Sequence, residues 1–288
     1  MFTHTNKTLN LTTTIDPNAG FCFGVISAIK KAEEILEKDG RLYCLGEIVH
    51  NEEETERLQN KGLEIINYTR LDTIFKEKVL IRAHGEPPAT YEKIMLNNNE
   101  IIDTSCKIIL KIQEYLRQDY EDGKQIFIYG RHNHPEVIGL AGQTNNTAII
   151  FEQLSELESI DLPKEITLYS QTTQSLEKYN EIINVLTEKG ITVNKKDTIC
   201  RQVANRQPQL KIFCRENDII LFIAGKNSSN GKVLYKTCKE ANARVHLINF
   251  KDELSRDWFL PGQKVGITGA TSTPQWLLQD IRNRLEKW

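Results

Sequence analysis

LYCLGEIVHN at 42–51, IFIYGRHNHPE at 126–136 and ILFIAGKNSSN at 220–230 share one plan, an apolar strand-like run that ends in a polar tip. A cysteine precedes each by the same interval: Cys22 to His50, Cys106 to His134 and Cys200 to Ser228 are all 28 residues apart. Further along each third, a second strand-like run ends in a second tip: IRAHG at 81–85 with His84, LYSQTT at 168–173 with Thr172, and GITGATS at 266–272 with Ser272. The second offsets drift (62, 66 and 72), as surface insertions allow. A helical pattern follows each cysteine. The repeat therefore predicts an α/β protein of three similar units with mainly parallel sheets. Their expected bounds are 1–105, 106–196 and 197–288, the last with a C-terminal helix. Ligands of open α/β sheets collect beyond the carboxyl ends of parallel strands, where all six tips would fall. In a pseudo-threefold arrangement the three cysteines and six tips would converge on one central cavity.

Outside these motifs, short β-branched runs alternate with helical patterns such as 25–38, 107–120 and 176–189, without a long linker or low-complexity tract. The composition is ordinary for a globular protein, at 39% hydrophobic and 26% charged, and a formal net charge of −2 gives no electrostatic case for nucleic acid or an acidic membrane surface. Residues 1–14 are polar and Thr-rich, unlike a signal peptide, and the best apolar run, 219–224, falls far short of the ~20 residues needed to span a bilayer. A cytoplasmic location is expected by default.

Six cysteines stand at 22, 44, 106, 200, 214 and 238, none in a CxxC pair. Cys22 lies in AGFCFGV, a glycine-flanked turn, while Cys106 follows Asp103-Thr104-Ser105 and Cys200 follows Asp197-Thr198-Ile199, both suited to a helix entry. A cysteine at a helix N-terminus gains thiolate character, which soft metals and iron–sulfur clusters require. Cys44, within a strand, and Cys214 and Cys238, in helical segments, read as packing residues. Spacing does not choose between an iron–sulfur cluster and zinc with a catalytic water; three thiolates leave a fourth position open in either case.

His50, His84 and His134 all occupy strand-end tips and together would form a cationic cradle for an anion. Ser228, Ser229, Asn230, Ser272 and Thr172 add donors suited to phosphate oxygens. His4 lies in the tail and His246 within a strand. His132 forms a His-x-His pair with His134, but no third ligand stands nearby for a metal. Glu136, after Pro135 at a helix start, suits either the helix dipole or a proton donor tuned by burial. Gly225-Lys226-Asn227-Ser228 lacks the rest of a P-loop, and no GxGxxG fingerprint supports nicotinamide binding.

Taken in order, AGFCFGV, GEIVHN, RAHG, DTSC, NHPEVIG, SQTT, DTICRQVANRQ, GKNSSN and GITGATSTP resemble the hydroxymethylbutenyl diphosphate reductases, the IspH (LytB) family, from Gly20 to about Leu278. The resemblance implies three α/β domains about a [4Fe–4S] cluster held by Cys22, Cys106 and Cys200, with the fourth iron open to substrate. It implies diphosphate binding by His50, His84, His134, Ser228, Ser229, Asn230 and Ser272, and handling of the substrate hydroxyl and its protons by Thr172 and Glu136. The implied reaction is the reductive dehydroxylation of an allylic diphosphate to isopentenyl and dimethylallyl diphosphate, the last step of the methylerythritol phosphate pathway, with electrons from a ferredoxin or flavodoxin. A non-redox iron–sulfur dehydratase or a zinc hydrolase would use the same residues differently. The chain departs from the family pattern at Lys107 (usually proline), at Arg131-His132-Asn133 before His134, and at Ala270 (usually glycine); these changes flank the expected ligands and remove none.

Overall fold

A computed structural model describes residues 8–288; His4 and the beginning of the polar 1–14 stretch lie outside the described residues. Twelve strands are present among the described residues: β1 (Thr12–Ile15), β2 (Leu42–Leu45), β3 (Leu63–Ile66), β4 (Lys78–Ile81), β5 (Glu100–Asp103), β6 (Ile126–Tyr129), β7 (Ile149–Phe151), β8 (Glu165–Ser170), β9 (Thr192–Lys195), β10 (Ile219–Ile223), β11 (Val245–Ile248) and β12 (Lys264–Gly269). They form three four-stranded sheets, ordered β3-β2-β4-β5, β7-β6-β8-β9 and β11-β10-β12-β1, and every pairing is parallel. The repeat read from the sequence is thus an architectural one, three α/β sheets built to one strand order.

The central strands explain why the repeat is visible. β2, β6 and β10 are buried along their whole length, and β4, β8 and β12 beyond their first residue. A strand covered on both faces reads as an unbroken apolar run. Edge strands such as β5 and β9 are short and half-exposed. In the first two sheets the first strand leads outward to one edge and the third to the other; in the last, β10 leads to β11 at one edge and β12 is flanked by β1 at the other, so the seam β2/β4, β6/β8 or β10/β12 is a topological switch point. The six tips leave these six strands, two side by side per sheet.

Sheet membership follows the chain with one exception. β2–β5 fall within 1–105 and β6–β9 within 106–196. The last sheet takes β10–β12 from 197–288 and its fourth strand, β1, from the other end of the chain, with Thr12 in register with Lys264 and Ile15 with Ile267. The chain ends are tied there, Leu9 N–H donating to the Trp288 carbonyl at 2.6 Å. By contact density the chain divides into two compact units. One comprises the residues up to Cys22, Val49–Glu56 and Asn205–Trp288 and contains the β1-containing sheet; the other, Phe23–Ile48 and Arg57–Ala204, contains the remaining two sheets. The core of the first gathers Leu221, Ile223, Ile267 and Leu278. The second carries separate cores around Tyr43 and Ile81 and around Phe127 and Tyr179. Among the described residues no helix is long and apolar enough to cross a membrane.

Cysteines 44, 214 and 238 are fully buried, as expected of packing residues; burial pushes the Cys44 thiol up to about 12. His246 stacks on Trp258 with ring centroids 4.2 Å apart, and burial lowers its pKa.

Candidate active site

Each of the three motif cysteines is pinned in the same way. Its backbone N–H donates to a carbonyl in a second tip: Cys106 to Ala83 at 3.0 Å, Cys200 to Thr172 at 2.9 Å and Cys22 to Thr271 at 3.1 Å. A cysteine that opens one repeat is therefore held by the tip that closes the one before, and β1 extends the rule to Cys22. The tips thus fix the main chain at the thiols.

In the larger unit, Cys106, Cys200, His84, His134, Glu136 and Thr172 form a group. His134 caps the helix Pro135–Ala141, its Nδ1 accepting the Glu136 N–H at 3.2 Å. With Nδ1 taken up by the helix, Nε2 is the His134 ring nitrogen left to face other groups. The His84 ring stands edge-on to it, centroids 5.4 Å apart. Glu136 is fully buried, with Oε1 2.6 Å from the Thr172 N and Oε2 2.7 Å from Thr172 Oγ1. Burial pushes the carboxyl up to about 7, against the two Thr172 hydrogen bonds that pull it down. Glu136 thus stands in the first turn of that helix, and burial raises the pH at which it gives up its proton.

Cys106 differs from expectation. The N–H groups of Ile108 and Ile109 at the helix start do lower its pKa, but burial outweighs them, and Cys200 and Glu136 add to the rise. The free thiol is thus held protonated, and a bound cation would have to displace its proton.

In the smaller unit, Cys22, His50, Ser228, Ser229, Asn230 and Ser272 assemble where β10 and β12 end. Ser228 caps the helix Ser229–Ala241, taking the Gly231 N–H at 3.0 Å, and its Oγ lies 3.2 Å from Ser272 Oγ. Asn230 Oδ1 accepts both the Thr271 N–H and the Thr271 hydroxyl, each at 3.0 Å, which fixes the amide orientation. Its Nδ2 is buried and has no hydrogen-bond partner among the described residues. Gly225 lets the His50 backbone approach closely, since a methyl group there would overlap the His50 carbonyl. His50 is held in turn by the helix Glu52–Gln59, whose leading glutamates accept from Lys226 N, Lys251 N and Trp276 Nε1 at 3.1, 3.0 and 2.7 Å.

Sequence reasoning missed Thr271, Gly225 and the buried Asp16–Arg206 pair; GKNSSN and DTICRQVANRQ contain two of these, but nothing in either string reveals the partner. The departures from the family pattern have plain local roles. Lys107 is the exposed first residue of the helix Lys107–Glu121. His132 turns to the surface to meet Glu156 at 2.6 Å, which removes it from any metal pair with buried His134. Ala270 is fully buried in a core.

A family model described as LytB protein matches residues 14–286. The chain belongs to the LytB family. It is 49% identical over 280 residues to the 4-hydroxy-3-methylbut-2-enyl diphosphate reductase of Bacteroides fragilis, covering 94% of this chain and 96% of that one. The Phocaeicola vulgatus protein of the same name is 46% identical, with 94% and 97% covered. A solved (E)-4-hydroxy-3-methyl-but-2-enyl diphosphate reductase superposes with a TM-score of 0.72 at 33% identity, over 97% of this chain and all of that one. The solved E-1-hydroxy-2-methyl-but-2-enyl-4-diphosphate reductase of Plasmodium falciparum gives 0.85 at 27% identity over 96% of this chain and 88% of that one.

Proposed function

We propose that this LytB chain is an iron–sulfur oxidoreductase that converts 4-hydroxy-3-methylbut-2-enyl diphosphate to isopentenyl and dimethylallyl diphosphate. The net change breaks the allylic C–O bond, takes up two electrons and two protons, and releases water. The observation that carries the reading is a buried carboxyl with a pKa of about 7, bonded to the residue whose carbonyl holds Cys200.

The donor set, three soft cysteine sulfurs whose backbone N–H groups are pinned alike, fits a [4Fe–4S] cluster that Cys22, Cys106 and Cys200 would hold. Such a cluster supplies the electron path and a Lewis acid for a poor leaving group. Electrons come from a separate ferredoxin or flavodoxin, as the chain carries no flavin or nicotinamide fingerprint.

The chain's own residues handle protons and phosphate. With Glu136 ionised, Thr172 Oγ1 donates to Oε2; with Oε2 protonated the direction reverses, and the Thr172 hydroxyl proton can point to a leaving oxygen. Glu136 and Thr172 together thus hold a transferable proton near neutral pH. His50, His84, His134, Ser228, Ser229, Asn230 and Ser272 bind the diphosphate, with His134 donating from Nε2 and Asn230 from Nδ2. Exchanging that Asn230 donor for a carboxylate oxygen keeps the bonds to Thr271 but opposes an anion. Asn230→Asp is therefore expected to weaken pyrophosphate binding by more than about tenfold, measured by calorimetry.

Anaerobically reconstituted protein should consume the allylic diphosphate only when dithionite or a reduced carrier is added. Turnover without any reductant would refute the reductase and favour a non-redox dehydratase.

A further inference from the structure

RAHGE at 82–86 places an opposite charge on either side of His84, and both charges are buried. Arg82 is 6% exposed and Glu86 1%. Arg82 Nη2 lies 3.3 Å from Glu86 Oε1, and Glu86 Oε2 accepts from the Tyr68 hydroxyl at 2.6 Å. The Thr90 side chain also bonds the Glu86 carboxyl. The guanidinium lies on Gly46, where φ is +77° and a methyl group would overlap Nη1. Between the charges, Gly85 N–H donates to the Arg82 carbonyl at 3.0 Å with φ +70°, closing the turn. That turn carries two site elements, the His84 ring beside His134 and the Ala83 carbonyl that holds Cys106.

Stability does not account for this pair. Two desolvated charges are commonly matched or bettered by apolar residues of similar volume, while removal of one alone is costly. A guanidinium docked on a carboxylate does supply direction, because its donors fit in few orientations, whereas an apolar pair can slide. We propose that Arg82, Glu86 and Tyr68 are positioning residues that fix the angle of the His84 turn, and so set the anion-binding ring and the Cys106 main chain together. The proposal rests on the reading of His84 as a diphosphate ligand.

The paired replacement Arg82→Met/Glu86→Leu separates positioning from stability. Holoenzyme carrying it, Tyr68→Phe holoenzyme and His84→Ala holoenzyme are compared with the parent for Tm, pyrophosphate Kd, KM and kcat. The paired variant is expected to keep its Tm within a few degrees, yet raise both pyrophosphate Kd and KM about tenfold with a much smaller change in kcat. Tyr68→Phe, which removes a single hydroxyl at the edge of the cluster, is expected to raise both about threefold at unchanged Tm. If the two variants bind pyrophosphate and substrate within twofold of the parent while His84→Ala is weakened, the positioning role is overturned. Should the paired variant fail to fold, Tyr68→Phe decides by the same criterion. A His84→Ala holoenzyme with parental pyrophosphate affinity overturns the assignment of His84 as a ligand, and the positioning role with it.

Discussion

Glu136→Gln is expected to fold, to bind pyrophosphate like the parent, and to turn over at least about 100-fold more slowly. The amide reproduces the protonated acid: its oxygen accepts from Thr172 N, and its NH2 donates to Thr172 Oγ1, the geometry now made at 2.6 and 2.7 Å. Only the transferable proton is lost. Single-turnover kinetics on reconstituted protein measure the loss, and a near-parental kcat would remove Glu136 from the acid role. The same variant has a second signature in the apoprotein. An exposed glutamate loses its proton near 4.5, whereas Glu136 in the fold retains it to about 7. Between those values the folded state binds the additional proton, so stability falls as pH rises through the window and levels off above it. The expected loss is about 3 kcal/mol. Glutamine has no proton to lose, so urea unfolding of Glu136→Gln apoprotein should show that slope abolished between pH 4.5 and 7.

Asp16→Ala is expected to cause the largest loss of stability, about 3–5 kcal/mol by chemical denaturation. Asp16 and Arg206 are both buried, with Arg206 Nη2 2.7 Å from Asp16 Oδ2 and 3.0 Å from Thr268 Oγ1, while Thr268 Oγ1 itself donates to Asp16 Oδ2 at 2.8 Å. Arg206 Nη1 has no hydrogen-bond partner among the described residues. Removing the carboxylate leaves a guanidinium without its counter-charge in an apolar setting. The effect reaches the site through the chain, because Asp16 Oδ1 also accepts the Asn18 N–H at 2.9 Å at the base of the turn that delivers Cys22. Replacing both partners, Asp16→Leu with Arg206→Met, should recover most of the loss. A single-variant loss below about 1 kcal/mol would contradict the charge argument.

The central strands and the six tips were legible in the sequence because the physics that buries β2, β6 and β10 on both faces also writes unbroken apolar runs with polar ends. The common 28-residue spacing from cysteine to tip then reported equivalent positions. Other features were hidden for definite reasons. β1 reads as TTTI, an edge-strand pattern, and nothing local tells that it pairs with β12 some 250 residues away. Arg82 and Glu86, four residues apart, look like an ordinary surface pair until burial is known. Asp16 and Arg206 are linked only through the tertiary fold. The direction of the Cys106 shift was missed because helix N–H groups are inferable from sequence, whereas the burial that outweighs them is not.

The bond from Cys22 N–H to the Thr271 carbonyl has a consequence for biogenesis. During synthesis the acceptor leaves the ribosome 249 residues after the donor, an interval of roughly 12–50 s at ordinary elongation rates. Until then β1 lacks its neighbour β12, and the first cysteine has no fixed place. The main chain at Cys22 is therefore fixed only after the third sheet has been synthesised.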